Sequence, residues 1–278
     1  MHHLRPSFFI IGERKCATSA VYRYLIEHPQ VLPCAVKEPQ FFSRSWLSRK
    51  IYWHQYLKLF PKANAEGAEI AWFDLLDDQT VRSRRLGSTR DPGLPVITGE
   101  ASANTFAQVP PQRLHRAFPK AHLILCLRHP VDRACAHYRM LERFAAEGRK
   151  LPLKLTTFSH DFEQDVARVL QGGGGYFAGP SFYSRNLANW LRVFDKDQIS
   201  LIRTEDLKIP DVASGILQEI CAHLGIASFD FSRVMQEAVN VSHGPALDPV
   251  VRQQLMQYFI EDIRRLEDLA GRMFDWTT

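Results

Sequence analysis

Along the chain, short unbroken apolar runs alternate with stretches whose apolar residues recur at helical spacing. Phe8 to Ile11 is continuous and apolar, as a strand buried on both faces would be. After it, Val21, Tyr24, Leu25 and His28 share one helical face, and Pro29 ends that helix. Ala121 to Leu127 reads as a second buried strand. It leads through Arg128-His129-Pro130 into a helix reaching about Phe144, with Pro130 in the first turn. Gln198 to Arg203 reads as a strand and Pro210 to Leu224 as a helix. Tyr183, Leu187, Trp190, Leu191 and Phe194 mark another helix, capped by Ser181, with Trp190 and Phe194 in the core. Val251, Leu255, Phe259, Ile263, Leu266 and Leu269 mark one long C-terminal helix, with Asp248 as cap and Pro249 at its first position. Asn64 to Pro95 and the run Gly172 to Gly175 read as surface loops, the second as a mobile one.

Strands alternating with helices predict an α/β fold: a single domain over residues 1–278, its central parallel sheet flanked by helices. Length is consistent with this, since 278 residues bury a large core. A composition of 45% hydrophobic and 23% charged residues is that of a soluble globular protein. The apolar runs are too short to span a membrane, and no signal peptide opens the chain, so neither a membrane partner nor secretion is expected. The five cysteines lack metal-ligand spacing and read as free thiols in a reducing cytoplasm. No histidine and carboxylate set has metal spacing either, so no metal is expected. A net charge of +5 suits an anionic ligand, but the cations are scattered, which favours a small charged molecule over nucleic acid. No pattern in the chain speaks for an oligomeric state.

The chemistry concentrates where the first strand ends. Gly12-Glu13-Arg14-Lys15-Cys16-Ala17-Thr18-Ser19 joins that strand to a helix, and backbone N–H groups at a helix start are a natural anion site. Thr18 and Ser19 add hydroxyl donors; Arg14 and Lys15 add charge. The loop is P-loop-like without being the nucleoside-triphosphatase loop, which requires Gly and Lys where this chain has Ala17 and Thr18. A dinucleotide G-x-G-x-x-G is absent as well.

Gly-x-x-Lys-x-x-Thr-Ser-Ala after a strand, then a helix ending His-Pro, resembles the 5′-phosphosulfate loop of sulfotransferases that use 3′-phosphoadenosine 5′-phosphosulfate (PAPS). Further segments are similar to the heparan sulfate and carbohydrate branch of that family, in the family's order: "KEPQFF" (Lys37 to Phe42), "GEASANTF" (Gly99 to Phe106), "LILCLRHPVDRACAHY" (Leu123 to Tyr138), "SFYSRNLANWLRVF" (Ser181 to Phe194) and "LAGRMFDW" (Leu269 to Trp276). The resemblance implies a sulfotransferase fold and transfer of a sulfuryl group from PAPS to a hydroxyl or amine, leaving 3′-phosphoadenosine 5′-phosphate (PAP).

It also implies roles. Arg14, Lys15, Cys16, Ala17, Thr18, Ser19 and Ala20 would hold the donor, with Lys15 also catalytic at the bridging oxygen. Glu38 would be the base, with Glu100 in reserve. Arg128 would take the 3′-phosphate; Arg133 either joins it or is a structural helix residue. Two positions depart from the family: Ala136 stands where a serine is usual, and Ala101 where some members have a catalytic lysine. A late Lys-Gly-Arg loop is represented by "SHGP", whose His243 and Gly244 are the remaining donor candidates.

The expected acceptor is a small hydroxylated metabolite or a glycan unit rather than polymeric heparan sulfate. The cations are dispersed, and Asp74, Asp77 and Asp78 would repel a polyanion. The rival readings are a nucleotide or metabolite kinase and a nucleotide-binding protein without activity. Intact Lys15 and Glu38 oppose the second.

Overall fold

The computed structural model describes residues 2–62, 65, 69–73, 81–85, 94–151, 153–236 and 247–276, with residues 69–73 and 81–85 described as backbone alone. The chain divides into two compact units. One comprises Met1–Glu13, Ala17–Leu127 and Leu191–Val241; the other comprises Arg14–Cys16, Arg128–Trp190 and Ser242–Thr278.

The first unit holds the strands: β1 (Phe8–Gly12), β2 (Val31–Pro33), β3 (Glu69–Phe73), β4 (Val81–Arg85), β5 (Ile97–Ala101), β6 (His122–Leu127) and β7 (Ile199–Arg203). Five of them form one sheet in the order β2-β5-β1-β6-β7, and every pair is parallel. All residues of β1 and β6 are buried, as their unbroken apolar sequences require in the middle of such a sheet. The helices of this unit are α1 (Thr18–Leu25), α2 (Trp46–Leu57), α3 (Thr105–Gln108) and α4 (Pro111–Ala117), and further along the chain Pro210–His223 and Ser232–Met235. The expected parallel sheet flanked by helices is therefore present.

β1 lies between β5 and β6, so the order of strands reverses at its C-terminal end. In an open parallel sheet that reversal opens a crevice for ligands. Gly12 closes the strand there. A Cβ on it would come within 2.9 Å of the Phe106 Cβ and 3.1 Å of the Ala103 carbonyl, and its φ is +155°, so a side chain is excluded twice over.

Residues 64 to 95, expected as loop, hold β3 and β4, which pair antiparallel with Glu69 opposite Arg85 and Phe73 opposite Val81. Ile70 to Phe73 is a short apolar run, but its partner, Val81 to Arg85, is mostly polar and charged, and that mixed sequence concealed the pair. Asp74, Asp77 and Asp78 lie outside the described residues.

The second unit is helical, with α5 (Pro130–Ala146), α6 (Phe158–Leu170), α7 (Tyr183–Leu191, its last residue in the first unit), and two C-terminal helices, Pro249–Met256 and Ile260–Ala270. An aromatic cluster fills it: Phe162 lies 5.9 Å from Phe259 and 6.5 Å from Phe177, and Tyr138 5.1 Å from Phe177. Asp165 is buried and accepts the backbone N–H groups of Tyr176, Phe177, Ala178 and Gly179, which fastens the chain after the glycine run. Gly172 to Gly174 are exposed, as expected of a loop, but Gly175 is packed so closely that a Cβ would meet Gly179 Cα at 2.5 Å.

Two expectations need correction. The C-terminal helix is not continuous: a 3₁₀ turn over Gln257–Phe259 separates its halves. The tighter turn shifts the phase between the two faces, and Leu255, Phe259, Ile263 and Leu266 are all buried. Ser181 does not cap α7. Its hydroxyl donates to the Pro130 carbonyl at 2.9 Å, and the α7 amides of Tyr183 and Ser184 instead reach the Asp262 carboxylate from far along the chain. Asp248, by contrast, caps its helix as expected, accepting from the amides of Val250 and Val251.

Candidate active site

The loop from Gly12 to Ser19 belongs to both units, since Arg14–Cys16 groups with the second. Lys15 and Ala17 have φ of 67° and 59°, a left-handed conformation that non-glycine residues adopt seldom and mostly at functional turns. Ala17 is the N-cap of α1 and offers no side-chain acceptor. The first bond of the helical ladder runs from Val21 N–H to the Ala17 carbonyl, so the amides of Thr18, Ser19 and Ala20 precede it. Thr18 and Ala20 are buried and Ser19 is half-buried. An uncapped helix start with a threonine and a serine in its first turn presents donors of the kind that suit an anion.

In the second unit, Lys15 meets cations. Burial is the larger influence and the charges of Arg143, Arg128 and Arg133 add to it; together they lower Lys15 to about 8. Cys16 is fully buried, with its Sγ 3.7 Å from the Arg14 carbonyl and 4.0 Å from the Tyr183 hydroxyl. Tyr183 also donates to the Arg128 carbonyl at 2.9 Å, so one phenol ties the loop to the end of β6's extension.

Arg133 has no exposed surface. Its Nε donates to Ser181 Oγ at 2.5 Å, and Nη1 lies 3.5 Å from His137 Nδ1. The structural reading of Arg133 is thus realised in part, yet its Nη2 is buried without a partner. A buried guanidinium with a vacant donor suits an incoming anion, because an unmet charged donor in a dry site is costly. His137, on the same helix, is held neutral well below the usual histidine range, by burial first and then by Arg133, Arg14 and Lys15. Ala136 is buried and presents only its methyl group.

In the first unit, Glu38 is half-buried and its carboxylate is held at both oxygens. Lys37 Nζ donates to Oε1 at 2.9 Å and Gln40 Nε2 to Oε2 at 3.4 Å. The ion pair with Lys37 and the amide of Gln40 hold the carboxylate in place. The segment is anchored by Phe41 and Phe42, both buried; Phe41 stacks on Tyr56 at 4.2 Å and Phe42 meets Phe9 of β1 at 6.1 Å. Glu100 is buried at the end of β5, and burial, with the Glu38 charge adding, pushes it up to about 8. His243 and Gly244 lie outside the described residues.

Arg143 was not among the residues singled out from sequence. Its signal was available: it follows Ala136 by seven positions on one helix, two turns along the same face. The second missed residue is Ser181, whose hydroxyl serves Arg133 rather than a helix end. Nothing local marks that role, since the partners are 48 residues apart. Among the described residues no group of three histidine, cysteine or acidic side chains converges as for a metal, and no helix is long and apolar enough to cross a membrane.

Comparison with known proteins gives a consistent result. Carbohydrate sulfotransferase 15 of Homo sapiens is 28% identical over 233 residues, covering 72% of this chain and 40% of that protein. The human bifunctional heparan sulfate N-deacetylase/N-sulfotransferase 2 is 24% identical over 239 residues, covering 83% of this chain and 23% of that protein. The chain thus spans less than half the length of these curated relatives. The crystal structure of a sulfotransferase from Alicyclobacillus acidocaldarius superimposes with a TM-score of 0.67 at 25% identity, covering 99% of both chains. A family profile described as "Sulfotransferase family" matches residues 6–230, well over half of the chain. From the loop after β1, the cations gathered about Lys15 and this match, the chain belongs to the sulfotransferase family.

Proposed function

We propose that the protein transfers a sulfuryl group from PAPS to a hydroxyl or amine of a small metabolite or glycan acceptor, releasing PAP. One observation carries this reading. Lys15, Arg128, Arg133 and Arg143 gather in the second unit, where burial first and the three arginine charges second lower Lys15, and Arg133 keeps a buried donor vacant. Cations assembled against their own repulsion imply an anion that repays it. The match of the family over residues 6–230, which includes parts of both units, supports treating the chain as one sulfotransferase domain.

PAPS supplies an activated sulfuryl group on its 5′-phosphate and a separate 3′-phosphate. The amides of Thr18, Ser19 and Ala20, with the Thr18 and Ser19 hydroxyls, would receive the 5′-phosphate. Lys15, protonated at neutral pH, would neutralise the charge that develops on the bridging oxygen as the S–O bond breaks. Arg128 would take the 3′-phosphate and Arg133 Nη2 would complete it, which offers a substitute for the serine missing at Ala136. Glu38 would accept the acceptor's proton as the new S–O bond forms. Lys37 and Gln40 leave that carboxylate little rotational freedom.

The acceptor class rests on the relatives, whose names include carbohydrate and heparan sulfate sulfotransferases, and on the dispersed charge of this chain. All five cysteines are free and buried, which supports a reducing location, and a cytoplasmic one belongs to the proposal. A kinase is not favoured, because the loop lacks the glycine and lysine that nucleoside-triphosphate chemistry needs. The test is a melting experiment followed by an acceptor screen. PAP should raise the melting temperature where ATP with magnesium does not, since ligands of the folded state stabilise by mass action. Equal stabilisation by ATP with magnesium would overturn the reading. A screen of alcohols, amines and short glycans by mass shift then identifies the acceptor.

A further inference from the structure

Glu100 presents a physical problem that its role as a reserve base does not answer. Its side chain is 2% exposed, and its Oε2 is buried without a hydrogen-bond partner. The Tyr56 and Ser102 hydroxyls lie close enough to favour the ionised form, but burial outweighs them. The groups that share a field with Glu100 come from several elements: Tyr22 on α1, Cys34 after β2, Glu38, and Tyr56 on α2. None of these is a cation. The nearest positive charge on the Glu38 loop, Lys37, is bonded to Glu38 itself.

The strand bearing Glu100 also carries the Glu38 loop. The Glu38 amide donates to the Ala101 carbonyl at 3.0 Å, and the Gln40 amide donates to Ser102 Oγ at 3.0 Å. Glu38 and Gln40 have φ of 61° and 49°, so both docking points hold left-handed, strained residues. A second carboxylate charge under such a loop would push against the first.

We propose that Glu100 is a positioning residue that stays a neutral carboxylic acid, so that Glu38 is the single anion of the pair and its loop remains docked on β5. This rests on the reading of Glu38 as the base. Burial, reinforced by the Glu38 charge, raises Glu100 to about 8, in keeping with the role. Below that pH Glu100 holds its proton; above it, the second charge disturbs the loop and transfer changes.

Two arms test the proposal. The first needs neither donor nor acceptor: folding stability is followed against pH for the wild type and E100Q. Glu100 binds a proton in the folded state and releases it on unfolding, so its contribution is complete below the unfolded carboxylate range and is lost as pH rises toward about 8. The wild-type folding constant should fall relative to that of E100Q by as much as about tenfold per pH unit in that window. Parallel curves would overturn the proposal. If E100Q does not fold, carbon NMR of the wild-type glutamate carboxyls replaces this arm, with one resonance titrating near 8 expected; titration of every carboxyl in the ordinary range would refute it. The second arm is the kcat profile against pH at saturating PAPS, where the bound anion has restored the proton affinity of Lys15; a wild-type break near 8 should vanish in E100Q. A break that persists in E100Q refutes the positioning role. Absence of any sulfuryl transfer would refute the proposed function while the first arm still decides the state of Glu100.

Discussion

The Lys37 ammonium lies 2.9 Å from Glu38 Oε1, and the lysine is 7% exposed while the glutamate is 31% exposed. A buried cation therefore holds one oxygen of a half-buried carboxylate, a contact that would orient Glu38 in its proposed role as base. Glu38→Gln keeps the shape but removes proton acceptance, and should lower kcat by about 10²–10⁴-fold while PAP binding persists. Lys37→Met should lower kcat less, by about tenfold, because the carboxylate survives but loses its orientation. Turnover and PAP-induced melting shifts, measured side by side, check both; full activity in Glu38→Gln would move the base elsewhere.

Lys15 and Arg128 should separate kinetically. Lys15→Ala is expected to cost about 10²–10³ in kcat, since its charge matters most as the leaving phosphate develops. Arg128→Ala should weaken PAP binding by about 10–100-fold, the worth of a charge-assisted contact to a remote phosphate. Steady-state kinetics with direct binding of PAP distinguishes the two.

PAP binding should take up a proton near pH 8. Lys15 is lowered to about 8 in the free protein, and an anion beside it restores affinity for the proton. Affinity should therefore fall as pH rises through that value. Calorimetry at pH 8 to 9 in buffers of different ionisation enthalpy reads the uptake, and a buffer-independent heat would contradict this placement of Lys15.

Asp262 and Ser181 should prove to be stability residues. Asp262 accepts the Tyr183 amide at 2.8 Å and the Ser184 hydroxyl at 2.5 Å, so Asp262→Ala leaves the start of α7 uncapped and should cost about 1–2 kcal/mol. Ser181→Ala strips Arg133 Nε of its acceptor and should cost about 1–3 kcal/mol. Denaturant unfolding measures both. A loss of PAP affinity in Ser181→Ala would add that Arg133 must be oriented to serve the donor.

Stability should fall on acidification through His122. This histidine is lowered to about 4, by burial first and by its stacked neighbour His223 second. The unfolded chain protonates near the ordinary histidine value and the folded one much lower, so the unfolded state binds more protons in between. The contribution is complete above about 6.5 and declines as pH drops toward 4. His122→Gln should flatten this part of the melting profile.

Much of the fold was legible in the order of residues. β1 and β6 announce themselves because a strand buried on both faces needs an unbroken apolar run. The loop after β1 is visible because glycine, lysine and hydroxyl residues must follow such a strand at short spacing to receive an anion. Asp248 and Pro249 mark a helix start because capping is a contact between chain neighbours.

Only the tertiary structure decided what depends on distant partners. Ser181 resembles a cap in sequence, but Arg133, brought beside it by the fold, takes its oxygen, and Asp262, 79 residues after Tyr183, does the capping. Arg143 is an ordinary surface cation until helix α5 carries its charge toward Lys15. Glu100 is one glutamate among many in the sequence; its proton is held by burial and by the charge of Glu38, and neither is a property of its neighbours along the chain. Local sequence determines where elements begin and what chemistry they carry, because those effects act over one or two turns. Electrostatics and desolvation sum over everything nearby in space, and so await the folded chain.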